Sequence, residues 1–535
     1  MKISAETKDK SQQIENLNYL KTHENYKSIE NTVSKTKNEL VKQGYIDAIV
    51  EIISKTNDSV FSAQLNLGAK IETIVIAVPE IYKDVFYKTS SQNQGDSISL
   101  RFTETEAQLK KWNGLIAEKG DPFSTLQLAN INRINDTTLA AELQIKTNQK
   151  RTLDKIVVKG YEKFSGTYLK RFLKLEPGET FNLNDIKKRS ARLDNLRFAS
   201  QQKEPEVLFT NDSTILYIYP QKKASNNFDG FLGFGTNENT NKIEFDGYLN
   251  LNLINNLNYG ESLNLIYKSD EIDQQTISVR ADLPYLFKTP LGLELELNLF
   301  RKDTTFSNAR QSVKLKYQID GNQYLGAGIQ AISSSNLLDA NTAILQDYDS
   351  NFYTVNYNYQ TPNANDLLFP LNFWLDISAG FGNRETASSD QKQNQFALTT
   401  FKIFNLNDKN SIYTKLSGAS LVSDSYFDNE LYRFGGINSV RGFEENSLVA
   451  NLFGVLNTEY RYRLSNTIYI NSILDAAYSE NDLTDDKTKF FGFGFGFGLL
   501  TNSGLFKLNY ASGKTEDRPF RLSDSKVHIS LTATF

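Results

Sequence analysis

The chain has 535 residues, with 59 basic and 63 acidic side chains and a formal net charge of -4. Charges this balanced argue against a surface dedicated to nucleic-acid backbones. With no cysteine, and His23 and His528 as the only histidines, disulfides, thiolate chemistry and cysteine- or histidine-rich metal centres are excluded.

The opening MKISAETKDKSQQ has no apolar run of the kind a secretory signal needs, and no stretch is long and apolar enough for a transmembrane helix. Two readings follow: a cytoplasmic protein, or a chain whose export signal has been removed. Composition does not choose between them. However, 27 tyrosines and 35 phenylalanines beside an apolar fraction of 39% suit a β-barrel with lipid on one side. Strand patterning has to decide.

Residues 1 to about 221 mix helical and strand signals in what reads as three copies of one unit, 1–78, 79–150 and 151–222. In the first, 28–43 is a predicted helix stopped by Gly44, and IDAIVEII (46–53), VFSAQLNL (60–67) and TIVIAV (73–78) are predicted strands. In the second, helix 103–120 precedes strands 124–134 and 137–146, which meet at Asn135-Asp136. In the third, strand 153–160 is followed by a helix at 166–175 and another at 184–196 capped by Asn182. Strands 207–210 and 213–220 follow. Each copy amounts to two helices on a three-stranded sheet, although the first helix has no clear signal in the first two. Three unrelated α+β modules or one mixed domain would contain the same elements; the repeated order favours modules. Their sheet edges offer backbone groups that an extended peptide can join.

From 225 to 535 the period changes to two. In LGLELELNLF (291–300), five leucines face one way and Glu294, Glu296 and Asn298 the other. A sheet that spans hydrocarbon must close so that every backbone group is paired. Sixteen strands are predicted, at 228–236, 243–254, 258–269, 273–284, 290–301, 308–319, 322–332, 348–360, 370–381, 393–404, 409–420, 448–463, 465–478, 488–500, 503–512 and 525–535. An even number returns both barrel ends to one side. A soluble two-sheet protein would alternate similarly, but sixteen strands favour the barrel. His528 then reads as a lumen-facing residue of the last strand. In KFFGFGFGFGLL (489–500), phenylalanines alternate with Gly492, Gly494, Gly496 and Gly498, a glycine face on which another backbone could lie. A low-complexity aromatic strand with no insert is the plainer alternative.

The long connection DSYFDNELYRFGGINSVRGFEENSL (424–448) contains Val440, Arg441, Gly442 and Phe443 ahead of five predicted strands and a terminal phenylalanine. In these features the chain resembles the Omp85 superfamily of outer-membrane assembly and secretion proteins. There, an Arg-Gly-Phe or Arg-Gly-Tyr element of the sixth extracellular loop folds back into the barrel. The resemblance implies that the three N-terminal units are POTRA domains in the periplasm. Three of them before sixteen strands is closer to the TamA branch than to the BamA branch, whose familiar form has five. Two-partner secretion transporters typically have two, with a plug helix that has no counterpart here.

A guanidinium inside a barrel must keep hydrogen-bond partners, and a carboxylate pair supplies directional ones. Glu459 shares a strand face with Asn457 and Arg461, and Asp475 alternates with Leu474 and Ala476. The family places acidic residues that clasp the loop arginine on these two strands. Arg441, Gly442, Phe443, Glu459 and Asp475 are therefore expected to form an internal lock; three ordinary lumen charges are the alternative. Gly230, Gly233 and Gly235 of the first strand and Phe535 of the last mark an expected weak seam.

The resemblance implies insertion of outer-membrane β-barrel proteins, without enzymatic activity, catalytic residues, metal or cofactor. The implied partners are unfolded outer-membrane clients, a periplasm-spanning TamB-like protein or a lipoprotein, and outer-membrane lipid. A protein-secretion pore of the same superfamily and a passive porin are the alternatives. No phosphate loop is present, since neither glycine-rich run is followed by a suitable helix and lysine.

Overall fold

The computed structural model describes all residues except 58, 90–92, 237–242, 270–273, 339–341, 364–365, 502–503, 517–524 and 535. The side chains of 93–94, 231–236, 243–247, 528–531 and 534 are likewise outside the description, and with them the expected orientation of His528. Contacts divide the chain into two compact units. One comprises Met1–Lys155, Pro177–Ile186 and Leu208–Ile215; the other comprises Ile156–Glu176, Lys187–Val207 and Leu216–Phe535.

The first sheet follows from a short strand, two helices and a hairpin: β1 (Lys2–Ala5), α1 (Lys8–Glu15), α2 (Tyr26–Lys42), β2 (Ile49–Asn57) and β3 (Val60–Asn66). Asn25 caps α2, its Oδ1 accepting from Ser28 N at 2.9 Å. Ile29, Val33 and Leu40 then recur at helical spacing and form one core with Ile3, Ala63 and Leu65. The helix stops at Gly44, whose φ of 109° and close approach to the Ile71 carbonyl exclude a side chain.

The second sheet contains β4 (Thr73–Ala77), α3 (Lys83–Tyr87), β5 (Asn93–Gln94), β6 (Ser97–Arg101), α4 (Thr105–Glu118), β7 (Thr125–Asn135) and β8 (Thr138–Lys146), with strand order β5-β6-β4-β8-β7. Trp112 of α4 stacks on Phe86 of α3 with ring centroids 4.9 Å apart, and its indole N–H reaches Thr89 Oγ1 at 3.2 Å. The third sheet, from β9 (Lys155–Val158), α5 (Gly166–Arg171), α6 (Leu183–Ser190), β10 (Ala199–Phe209) and β11 (Thr214–Lys222), has the order β10-β11-β9.

Two corrections to the sequence reading concern these units. TIVIAV is not the third strand of the first sheet. That place belongs to β1, parallel to β3, while β4 pairs with β6 and β8 of the second sheet. The first two sheets therefore part between Asn66 and Thr73 instead of at 78. In the first and third copies the elements run β-α-α-β-β, whereas in the second β5 and β6 stand between the two helices and make the sheet five-stranded instead of the expected three; in all three the opening strand lies beside the closing strand. The second correction is to VLFT, which is only the end of the eleven-residue edge strand β10; Pro205 is tolerated there because an edge leaves backbone positions unpaired.

The rest of the chain contains β12 (Asn227–Thr236), β13 (Ile243–Ile254), β14 (Ser262–Ser269), β15 (Gln274–Leu283), β16 (Leu291–Lys302), β17 (Phe306–Asp320), β18 (Gln323–Asn336) and β19 (Tyr348–Pro362). It continues with β20 (Leu371–Glu385), β21 (Asp390–Asn405), β22 (Asn410–Val422), β23 (Tyr432–Phe434), β24 (Leu448–Ala450), β25 (Leu452–Arg463), β26 (Ile468–Asn481), β27 (Asp486–Thr501), β28 (Gly504–Thr515) and β29 (Ser525–Thr534). All but β23 and β24 form a closed barrel of sixteen strands in chain order, each antiparallel to its neighbour. The strand expected over 448–463 is two elements: β24 pairs with β23 in a hairpin of its own, and the wall resumes at Leu452.

Polarity across the wall is the reverse of a soluble barrel's. Leu295, Val313, Ile329, Tyr353 and Phe381 are successive cross-strand partners and all exposed, Tyr353 at 76%. Inside lie Glu294, Lys316, Asn356 and Asp475, the last fully buried. Glu294 accepts from Lys314 at 2.9 Å and lies 3.6 Å from Lys316, which also pairs with Asp282. Such a wall turns its polar groups inward and leaves an apolar surface suited to hydrocarbon.

Candidate functional site

Residues 423–451 connect β22 to β25 and form the sixth connection at the barrel end away from the start of β12. The β23–β24 hairpin begins and ends this segment's inner excursion, with Tyr432 opposite Ala450 and Phe434 opposite Leu448. Gly435 and Gly436 then turn the chain, with φ of 106° and 91°. Val440 is fully buried and Arg441 is 5% exposed.

The structure brings the Arg441 guanidinium against carboxylates from two adjacent strands. Nε donates to Asp475 Oδ2 at 2.8 Å and Nη2 to Asp475 Oδ1 at 2.6 Å, a two-pronged pair. The backbone N–H of Arg441 adds a bond of 3.0 Å to Asp475 Oδ2. Nη1 donates to Glu459 Oε1, while the other oxygen of Glu459 accepts from Arg461 Nε at 2.8 Å. Arg461 in turn lies over the Tyr413 ring, 4.0 Å from its centroid. Each carboxylate oxygen therefore has a charged donor, which a buried ion pair needs if it is to offset its desolvation.

Close approach of the loop depends on glycine. At Gly442, φ is 94°, and a Cβ would lie 2.3 Å from Gly513 N. On the wall, a Cβ at Gly492 would lie 2.4 Å from the Arg441 carbonyl oxygen, and one at Gly513 would lie 2.7 Å from Phe443 Cε2. Phe443 meets Phe490 edge-on at 5.5 Å; Phe490 meets Phe434, which stacks on Phe453 at 4.6 Å.

The glycine run on β27 does not act as one face for the loop. Only Gly492 meets the inserted backbone. Side chains at Gly494, Gly496 and Gly498 would instead strike the Tyr510 carbonyl on β28, the Asn509 and Asn471 amides, and the Tyr469 ring. Wall packing accounts for those three.

The expected seam is the junction of β12 with β29. Among the described residues, β12 and β29 pair only as Asn227 with Thr534 and Phe228 with Ala533. Gly230, Gly233 and Gly235 pair instead with Leu249, Asp246 and Glu244 of β13. A side chain at Gly230 would meet the Tyr248 carbonyl at 2.1 Å. Phe535 lies outside the described residues.

A second anchorage of the loop has no signal in the sequence pattern. Arg384 of β20, 1% exposed, pairs with Glu430 and donates to Ser425 O at 3.2 Å, and its guanidinium lies 4.0 Å from the Phe427 centroid. Asn429 donates to Ser334 Oγ at 2.7 Å and to Gln346 O at 2.8 Å. The loop is thus held to β18–β21 by one limb and to β25–β28 by the other.

No protein-family model matches the chain, and no curated protein matches it. Solved structures do. BamA from Haemophilus ducreyi lacking POTRA domains 1-3 superposes with a TM-score of 0.53 at 16% identity, covering 88% of this chain and 100% of that one. CdiB from Escherichia coli gives 0.56 at 13% identity, covering 94% and 98%, and CdiB from Acinetobacter baumannii gives 0.51 at 16%, covering 87% and 90%. What is shared is the fold. At these identities it extends to BamA and CdiB alike.

Proposed function

We propose that this chain is an outer-membrane barrel of the Omp85 type that moves polypeptides into or across the membrane, using residues 423–451 as the movable element of its lumen. The observation that carries this reading is the triad of Arg441, Asp475 and Glu459, which holds a loop inside a polar-lined wall instead of over its mouth. A loop that served only to close the barrel would not need a buried guanidinium bound on three sides. Charge-assisted bonds inside a barrel are strong together but individually exchangeable for water, which suits an element that is seated or withdrawn as a unit.

With the loop withdrawn, the polar interior of a sixteen-stranded barrel is wide enough for an aqueous path, which supports passage of an unfolded client through the lumen. The narrow β12–β29 pairing supports the second reading, insertion of clients at the seam, where an unpaired strand edge could template the edge of an incoming barrel. The N-terminal sheets, on this account periplasmic, offer edge strands to extended clients or to a TamB-like or lipoprotein partner. The two readings separate on depletion of the protein followed by proteomics of the outer membrane and periplasm. One cargo trapped in the periplasm with every barrel retained supports passage, and a broad loss of barrels supports insertion. An unchanged proteome in both compartments rejects polypeptide transport altogether.

A further inference from the structure

The two ends of the seam are closed by different means. At the end where the barrel begins and finishes, backbone pairing joins Asn227 to Thr534 and Phe228 to Ala533. At the opposite end the inserted loop reaches across. Glu444 Oε1 accepts from Lys526 Nζ at 3.0 Å, and Lys526 is the second residue of β29. The adjacent Glu445 has its Oε1 3.2 Å from Lys268 Nζ, at the far end of β14. Since β14 joins β13 and β13 joins β12, the two lysines stand on opposite sides of the seam. Gly436 leaves the space that Glu445 needs: a Cβ there would lie 2.0 Å from Glu445 Oε2.

We propose that Glu444 and Glu445 are positioning residues that clip the far end of the seam shut while the loop is seated. Both follow closely on Arg441, so one movement of the loop withdraws the lock and the clip together. All four partners are partly exposed, with side-chain accessibilities of 28–50%. Ion pairs of that kind are weak singly and readily exchanged for water, which fits a closure meant to be released. The clip concerns the seam itself and holds whether clients pass through the lumen or enter at the wall.

The absence of native cysteine permits a direct test on the full chain in lipid nanodiscs. Spin labels on Ser269→Cys, at the far end of β14, and Val527→Cys of β29 report the distance across the far end of the seam without any client present. The clip predicts a narrow distance distribution for the labelled parent. In Glu444→Gln/Glu445→Gln it predicts a population at longer distance that rises about threefold or more, the scale of losing two partly exposed pairs. The charge exchange Glu444→Lys/Lys526→Glu, with Glu445 intact, should return the narrow distribution. An unchanged distribution in the double glutamine variant, or a broad one in the charge exchange, overturns the proposal.

Discussion

Replacing Gly492 by alanine should unseat the loop without changing any charge. The new Cβ would lie 2.4 Å from the Arg441 carbonyl oxygen and 3.3 Å from Asp475 Cβ, where ordinary contact begins at 3.4 Å. Gly492 sits in a strand paired on both sides, with Asp475 and with Gly513, so the loop moves and the wall does not. A carbonyl retreat of about 1 Å is required, which carries bonds now 2.6–3.0 Å long beyond useful hydrogen-bonding range. Loss of one or two charge-assisted bonds costs about 2–4 kcal/mol, on the order of a 30- to 1000-fold rise in the open population. Limited proteolysis of the folded barrel measures that population when closing is fast relative to cleavage. Gly454→Ala is the control, because a Cβ there meets nothing within 4 Å. Equal protection of the loop in the two variants would refute the idea that the Gly492 surface seats it.

Arg441→Ala should destabilise the seated loop by about 3–5 kcal/mol, because Arg461 still serves Glu459 but Asp475 loses its counter-ion. Arg441→Lys should not restore protection from protease, since one ammonium lacks the planar fork that binds both carboxylates. Arg384→Ala strands Glu430 and should expose residues 424–431 to cleavage while Arg441 remains protected, a difference readable by mass spectrometry of the fragments. Ile329→Arg, on the outer surface, should lower the stability of the membrane-inserted barrel by about 2–4 kcal/mol if the site lies near the bilayer midplane, measured by reversible unfolding in lipid vesicles.

The barrel was legible because hydrocarbon outside and polar groups inside impose a period of two on every strand, as in Leu291–Lys302. The inward facing of Glu459 and Asp475 was legible for the same reason, but their choice as partners of Arg441 came from the family resemblance and not from parity. Short, polar elements were not. β1 has four residues and only Ile3 fully in the core, so it carried no strand signal, and TIVIAV was drawn into the first unit by proximity along the chain. Helix α3 is five residues long, too short for periodicity to show. The Arg384–Glu430 pair escaped because its partners are 46 residues apart and one lies in irregular chain. Phenylalanine–glycine alternation suggested one surface with one purpose, whereas only the loop's actual path singles out Gly492 from its three neighbours.

Ion conductance across a planar lipid bilayer tests most directly whether a membrane-spanning wall encloses a seated loop. The intact chain should insert and conduct weakly, while deletion of residues 424–447 and the Arg441→Ala variant should each give large, long-lived openings. Insertion with the same conductance in all three would contradict a lumen closed by this loop, and failure of the folded intact chain to enter the bilayer would contradict the wall itself.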